Sequence, residues 1–383
     1  MPRIAIIAGE ASGDRLGASL IRSAKKLRPD LVFEGVAGPA MREAGCQCWV
    51  DSQELSVMGL FEIIRHLPRL LKIKRRIEKR LLADPPDVLV GIDAPDFNLR
   101  IERVAHRAGI PTVHYVCPSI WAWRQSRVKV LREACDLTLC LLPFEAAFLQ
   151  CHDTPGEFVG HPLADEIPDA VDRPAARASL GVSADTVIAL LPGSRESEVS
   201  RLGPLYAQTA NWLAAHGIEA EFLVPAATAS LGSIFAADWR RIASHCRVRI
   251  VTGRAQECIA AADVVLVASG TATLETMLLK RPMVVAFKMS ALTYWFLRWL
   301  LFFKLIKAKY ISLPNLLSAE TLVPELIQQQ ATPEAAGSAL LELLQSPEHQ
   351  QELAKKFASL HDQLRRSAAD RAADAVLRVG GLV

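Results

Sequence analysis

Two short stretches carry residue types suited to holding an anion. Val187–Val199 reads V-I-A-L-L-P-G-S-R-E-S-E-V: five apolar residues, then Pro192-Gly193-Ser194, then helical composition from Glu196. The apolar run fits a strand buried on both faces. A strand that passes through a small-residue turn into a helix leaves backbone N–H groups and the positive end of the helix dipole facing a ligand. Arg195 adds a planar donor fork matched to phosphate. Val264–Glu275, V-V-L-V-A-S-G-T-A-T-L-E, repeats the plan, with Ser269-Gly270-Thr271 as the turn and Ser269 or Thr271 as the helix cap. Glu275 then falls one turn inside that helix, where a carboxylate suits a pair of sugar hydroxyls, as acidic residues hold riboses in dinucleotide folds. Taken singly, each turn is also an ordinary strand-to-helix connection, and Glu275 an ordinary acid favoured by the dipole. Two such turns and an acid in one half of the chain point to a nucleotide.

The elements that must hold these turns recur along the chain. Apolar runs at Ile4–Ala8, Val32–Val36, Val88–Ile92, Thr112–Val116 and Leu137–Leu141 alternate with helical segments. A second set follows at Val187–Leu191, Glu221–Val224, Val248–Val251, Val264–Ala268 and Met283–Ala286. Such alternation predicts an α/β chain with two Rossmann-like, doubly wound parallel sheets and ligands at the carboxyl ends of the strands. Pro162, Pro168 and Pro174 mark Gly160–Pro174 as the linker, which gives domains at 1–165 and 166–345. A chain of 383 residues with 51% hydrophobic and 22% charged residues can bury two cores. Its net charge of +3 is too small to argue for nucleic acid. The eight cysteines are scattered, without a C-x-x-C pair. That spacing predicts neither a metal cluster nor a disulfide framework and suits a reducing compartment. Ile4–Ala8 is too short for a signal peptide, and no uncharged run reaches the length of a membrane span.

Six motifs, in this order, cover nearly the whole chain: A-G-E-A-S-G-D (Ala8–Asp14), V-G-I-D-A-P-D-F-N (Val90–Asn98), H-Y-V-C-P-S-I-W-A-W-R (His114–Arg124), L-L-P-G-S-R (Leu190–Arg195), A-S-G-T-A-T-L-E (Ala268–Glu275) and S-L-P-N-L-L (Ser312–Leu317). With them the chain resembles the lipid-A-disaccharide synthase family, inverting glycosyltransferases with two Rossmann-like domains facing a central cleft (the GT-B architecture). The resemblance implies that UDP-2,3-diacylglucosamine gives its sugar to the 6-hydroxyl of 2,3-diacylglucosamine 1-phosphate. The products would be a β-1,6-linked disaccharide 1-phosphate and UDP. It puts the sugar nucleotide on the second domain and the acceptor largely on the first, and sends the C-terminal segment, 346–383, back to the first domain as one long helix, Glu348–Leu377.

Within that reading Asp93, at the end of an apolar strand, is the expected general base. Asp96 and His114 are the other candidates, although Asp96 or Asn98 could instead cap the next helix. Glu10 and Ser12, in the first strand-to-helix turn, are expected at substrate hydroxyls and a phosphate; a plain tight turn with Ser12 or Asp14 as cap is the alternative. Arg195, with the amides of Gly193-Ser194 and of Ser269-Gly270-Thr271, would stabilise the leaving diphosphate, and Glu275 would hold the ribose. Asn315, in a segment that Pro314 makes a loop, would offer its amide to sugar or pyrophosphate. Trp121, Trp123 and Arg124 would stack on rings, meet acyl chains or simply pack, and His161 would belong to an interdomain hinge. Protein donors suffice for the electrostatics, so no metal or cofactor is expected.

Two stretches bear on a membrane. Between Arg65 and Arg80 stand eight Lys and Arg and one acid, Glu78, a local charge of +7. Leu60, Ile63, Ile64, Leu67, Leu70, Leu71 and Ile77 fall on the opposite helical arc, with Pro68 expected to kink or split the helix. A basic amphipathic helix reads as lying on an anionic membrane surface; a helix packed on the sheet with a solvated basic face is the alternative. Ala291–Lys309 is apolar on nearly all sides and rich in aromatics, which suits a lipid interface or a buried helix. Together with the acylated substrates that the resemblance implies, this points to a peripheral protein on the cytoplasmic side of the inner membrane, with a homodimer left open. Two rivals are a sugar-nucleotide epimerase on the same fold and a non-enzymatic lipid-binding protein. The basic helix argues against the first and the nucleotide-type turns against the second.

Overall fold

The computed structural model describes residues 1–55, 60–122, 125–289 and 309–383, with backbone only for 60–67. It divides into two compact units, Met1–Asp165 with Leu364–Val383, and Glu166–Gln363. Unit 1 is a parallel sheet of seven strands: β1 (Arg3–Ala8), β2 (Val32–Ala37), β3 (Cys46–Asp51), β4 (Val88–Ile92), β5 (Thr112–Tyr115), β6 (Leu137–Cys140) and β7 (Gly156–Phe158). Their spatial order is β3-β2-β1-β4-β5-β6-β7. Unit 2 has six: β8 (Val187–Leu191), β9 (Glu221–Ala226), β10 (Arg247–Thr252), β11 (Val264–Val267), β12 (Met283–Phe287) and β13 (Glu325–Ile327), in the order β10-β9-β8-β11-β12-β13. Every pairing is parallel. In each unit the strand order reverses once, between β1 and β4 and between β8 and β11.

The central strands β4, β8 and β11 are buried along their whole length, because helices cover both faces of a doubly wound sheet. In unit 1, Ile73, Ile77 and Leu81 of helix Leu60–Ala83 cover one face together with Ile101 and Ala105 of helix Pro95–Arg107. The other face is closed by helix Ala11–Leu27 and helix Ala368–Val379. Ala18 and Ala24 of one helix and Ala372, Ala373 and Ala375 of the other are fully buried. Such small side chains let the two helix backbones approach closely.

The single C-terminal helix expected over Glu348–Leu377 is two helices, Pro347–Leu364 and Ala368–Val379. Ser367 between them has φ 55°, which no helix continues through. The Asp165 carboxylate accepts hydrogen bonds from the amides of Arg366, Ser367 and Ala368, at 3.1, 2.9 and 2.6 Å, and so starts the second helix. Pro68, by contrast, sits within one helix, Leu60–Ala83. The strands absent from the sequence reading, β3, β7 and β13, are all outside the sheet centres, and the last two have three residues each.

Candidate active site

Register brings the predicted turns side by side. Leu191 pairs with Val267, and the Ala268 amide donates to Leu191 O at 2.9 Å, so the chain leaves β8 and β11 level with each other. This is the reversal point of the second sheet, the place where open α/β sheets hold ligands. The two turns wall a cavity of about 470 Å³ that Gly193, Ser194, Arg195, Ser269, Gly270, Thr271 and Glu275 all line. The sequence-predicted nucleotide residues of unit 2 therefore come together, with Asn315 the exception.

The two turns differ in how their amides are used. Helix Glu196–Ala215 starts after Arg195. Gly193 has φ +115°, and a Cβ there would lie 2.3 Å from Glu198 Oε2, so only glycine fits. That Glu198 oxygen accepts from the amides of Ser194 at 3.0 Å and Arg195 at 3.3 Å, while Oε1 meets Arg195 Nη1 at 3.3 Å. The anion position in this turn is thus filled by the protein's own carboxylate. At the other turn neither Ser269 nor Thr271 is the cap. Gly270, φ +128°, occupies the cap position without a side-chain bond. The Ser269 hydroxyl donates instead to Ile311 O at 3.0 Å. The opening amides of helix Thr271–Leu278 consequently have no side-chain cap, the state in which a helix N-terminus accepts an external anion.

Asn315 departs from expectation. It lies in helix Leu313–Ser318, not in a loop, and is fully buried. Its amide donates to Val323 O and Glu325 Oε1, both at 2.9 Å, and accepts from the amides of Leu322 and Val323 at 2.8 and 2.9 Å. Both ends of the amide are spent on folding this corner of unit 2.

In unit 1 the reversal lies between β1 and β4, where Ala8 pairs with Ile92. The turns that follow touch, since a Cβ on Gly9 would sit 3.5 Å from Ala94 Cβ. Glu10 precedes helix Ala11–Leu27, and Ser12 lies inside that helix, in its first turn, not in the strand-to-helix turn expected for it; both are exposed. Their side chains make no hydrogen bond among the described residues. Asp14 caps, but not its own helix: its carboxylate takes the amides of Gly38, Ala40 and Met41 at 2.9, 2.9 and 3.1 Å. Asp93 and Ala94 are both left-handed, at φ 51° and 43°, as is Val116 after β5 at 81°. Left-handed non-glycine residues are strained, and such strain concentrates at functional sites. Asn98 holds the Asp93 turn, its amide donating to Asp93 O at 2.8 Å and Ile92 O at 3.0 Å, and neither it nor Asp96 caps helix Pro95–Arg107. The Asp93 carboxylate is half-buried, makes no hydrogen bond or ion pair among the described residues, and lines a hollow of about 280 Å³ with Asp96, Arg127 and Cys117.

The alternatives to Asp93 are differently placed. Asp96 is exposed and paired with Arg127 at 2.6 Å. His114 lies within β5, not after it, and is fully buried, its Nδ1 2.8 Å from Glu102 Oε1. Burial raises the Glu102 pKa, while His114 acts to lower it. His161 accepts the Leu163 amide on Nδ1 at 3.2 Å, and burial pushes its pKa down to about 4. Trp121 meets Phe144 edge-on at 4.8 Å, which is packing; Trp123 and Arg124 lie outside the described residues. Cys117, Cys140 and Glu145, scattered in sequence, lie close together and buried in unit 1, one candidate ligand atom from each within 4.8 Å of the others.

A family model described as Lipid-A-disaccharide synthetase matches residues 4–376. The chain belongs to the lipid-A-disaccharide synthase family. The lipid-A-disaccharide synthase of Azotobacter vinelandii is 50% identical over 383 residues, covering 98% of each chain. That of Hahella chejuensis is 48% identical over 375 residues, covering 98% of this chain and 93% of the relative. Among solved structures, the UDP-GlcNAc 2-epimerase of Neisseria meningitidis, bound to UDP-GlcNAc, matches with TM-score 0.63 and 10% identity over 99% of both chains. That likeness is one of fold, the two-sheet GT-B plan. Identity near one half places the chain with the lipid-A-disaccharide synthases and apart from the epimerase rival. Membership in the lipid-A-disaccharide synthase family leaves Glu198 as the site residue that sequence reasoning missed; the signal was its N3 position after a Gly-Ser-Arg turn, the acid of a capping box.

On helix Leu60–Ala83, Ile77 of the predicted apolar arc is core, together with Ile73 and Leu81, which the arc did not include, while Leu70 is half-buried and Leu71 exposed. Lys72, Arg75, Arg76 and Lys79 are exposed and make no ion pair among the described residues. With Pro68 and the exposed Leu71 they line a hollow of about 650 Å³. Arg69, Lys74 and Arg80 are paired with Glu54, Glu78 and Glu34. The side chains of Leu60, Ile63, Ile64, Arg65 and Leu67, and Ala291–Lys309 short of Lys309, lie outside the described residues. Among the described residues no helix is long and apolar enough to cross a membrane.

Proposed function

We propose that the chain transfers the sugar of UDP-2,3-diacylglucosamine to the 6-hydroxyl of 2,3-diacylglucosamine 1-phosphate, with inversion. The products are the β-1,6-linked lipid A disaccharide 1-phosphate and UDP. The observation that carries the reading is the cavity of unit 2, where an uncapped helix start, an exposed Arg195 and Glu275 share one wall at the strand-order reversal. The uncapped Thr271 turn suits the diphosphate first, with Arg195 adding a fork of donors. Both act on charge that grows on the departing phosphate, which is where preorganised donors accelerate transfer. Glu275 takes the ribose hydroxyls. On unit 1 Asp93 removes the proton of the acceptor hydroxyl; a carboxylate without a partner among the described residues, held on a strained turn, is suited to that task. Glu10 and Ser12, exposed at the start of helix Ala11–Leu27 and without a side-chain hydrogen bond among the described residues, bind acceptor hydroxyls or phosphate.

The acceptor and donor carry acyl chains, so we place the chain peripherally on an anionic membrane surface, the cytoplasmic side of the inner membrane. The exposed cations Lys72, Arg75, Arg76 and Lys79, without an ion pair among the described residues, support this contact. The test is UDP release from UDP-diacylglucosamine with and without diacylglucosamine 1-phosphate, for the native chain and for Arg195→Ala. Acceptor-dependent release that the substitution abolishes supports the reading. Release that ignores the acceptor, or a substituted chain with native turnover, removes it.

A further inference from the structure

The cluster of Cys117, Cys140 and Glu145 has no part in the transfer just described. Cys140 is the last residue of β6, Cys117 stands two residues past the end of the adjacent β5, and Glu145 is in the first turn of helix Pro143–Gln150. The Val116 amide donates to Leu139 O at 3.0 Å, which keeps the two strand ends together through the left-handed Val116. The three side chains are 4%, 0% and 5% exposed. One ligand atom from each lies within 4.8 Å of the others. A tetrahedral zinc ion with Zn–S near 2.3 Å and Zn–O near 2.1 Å sets its ligand atoms roughly 3.5–3.8 Å apart. Closing the cluster onto a metal therefore takes a contraction of about 1 Å.

We infer that Cys117, Cys140 and Glu145 form a binding site for a thiophilic divalent cation of the zinc class. Two thiolates and one carboxylate are soft-to-borderline ligands that favour zinc over magnesium or calcium. Cys117 also lines the hollow beside Asp93, so the site adjoins that hollow. Binding exchanges the thiol protons, and the carboxyl proton where present, for one dication, and no electron moves. The net negative charge of the filled site faces the start of helix Pro143–Gln150, where the Leu142 amide already donates to Glu145 Oε2 at 3.1 Å. Cys135 lies nearby but is engaged elsewhere, its thiol donating to Leu131 O at 3.3 Å. The filled site would fasten the ends of β5 and β6 together beside the Asp93 turn.

The experiment uses the full chain, freed of metal by a chelator and kept reduced with a phosphine, titrated with Co²⁺ as a spectroscopic probe and then with Zn²⁺. The expected result is one Co²⁺ per chain, a thiolate-to-cobalt charge-transfer band with tetrahedral visible bands, displacement by Zn²⁺, and a rise in melting temperature with Zn²⁺. Cys117→Ser and Cys140→Ser each lose the charge-transfer band, while a Cys48→Ser/Cys151→Ser variant, which removes the exposed thiols, keeps it. Near-UV circular dichroism checks that each variant is folded. Cys117→Ser, at the wall of the hollow, decides the matter if Cys140→Ser does not fold. Absence of the band in the folded native chain, its survival in Cys117→Ser, or its loss with the exposed thiols overturns the proposal.

Discussion

Glu198 occupies the amides of the Gly193 turn in the absence of a ligand, so it competes with a diphosphate for them. Replacing it by Gln isolates the effect of its charge, because the amide oxygen can still accept from the Ser194 N–H and keep the helix capped. A phosphate oxygen arriving at this turn comes within about 5 Å of the displaced carboxylate, where two like unit charges repel by about 0.8 kcal/mol in water and about 3 kcal/mol at an effective dielectric of 20. The Glu198 side chain is 24% exposed, which puts the repulsion between those limits. Against it stands the lost attraction of a carboxylate for the helix dipole, about 0.3–1 kcal/mol, a cost to stability more than to binding. The lost ion pair with Arg195, whose side chain is 80% exposed, is worth little and frees that guanidinium for the ligand. Glu198→Gln is therefore expected to tighten UDP binding by about 1–3 kcal/mol, on the order of tenfold or more. Isothermal titration with UDP at low and high salt measures it, and the gain should shrink at high salt as screening grows. Equal or weaker UDP affinity in the folded variant refutes the reasoning. Glu198 would then be a partner of the ligand or would never leave its seat.

Three further outcomes are expected. Asp93→Asn should lower turnover by a factor on the order of 10²–10⁴ without changing UDP affinity; near-native turnover in a steady-state assay would take the base role from Asp93. Replacing Lys72, Arg75, Arg76 and Lys79 by Gln should release the chain from anionic vesicles, since each cation near such a surface adds roughly 1 kcal/mol. Co-sedimentation that matches the native chain would mean that this helix is not the contact. His161, with its pKa depressed to about 4 from 6.5, takes a proton in the unfolded chain before it does in the folded one as pH falls. Its contribution is present above pH 6.5 and lost between 6.5 and about 4, on the order of 3 kcal/mol in all; His161→Asn should flatten that part of a denaturation series, and an unchanged slope would show the imidazole to be solvated.

What the sequence makes legible follows from where its signals come from. β1, β4, β8 and β11 are continuous apolar runs because both faces are covered, so they and the turns after them can be found by reading alone. β3, β7 and β13 lie away from the centre, and two of them are too short to show any period. The residues of the nucleotide cavity were readable because each follows a central strand directly. The division of labour between the two turns was not, since it depends on Glu198 folding back in one and on Ser269 turning to Ile311 in the other. His114 and Asn315 look like ligands in a motif. Only packing reveals Glu102 beside the first and the carbonyls and carboxylate around the second. The cysteine–glutamate cluster is assembled from two strand ends and a helix start, with no local spacing to announce it.

Asp165 starting the last helix has a consequence for synthesis. The sheet of unit 1 begins with Arg3, yet Ala368–Val379, one of the two helices that close one of its faces, is made only after the whole of unit 2. A ribosome that has delivered residues 1–363 has supplied all of unit 2 and left one apolar face of unit 1 only partly covered, by helix Ala11–Leu27. Domains usually mature in the order of translation; here the half translated first must wait for a helix made after the second half, and a nascent chain stalled before Ala368 presents that partly open face to chaperones.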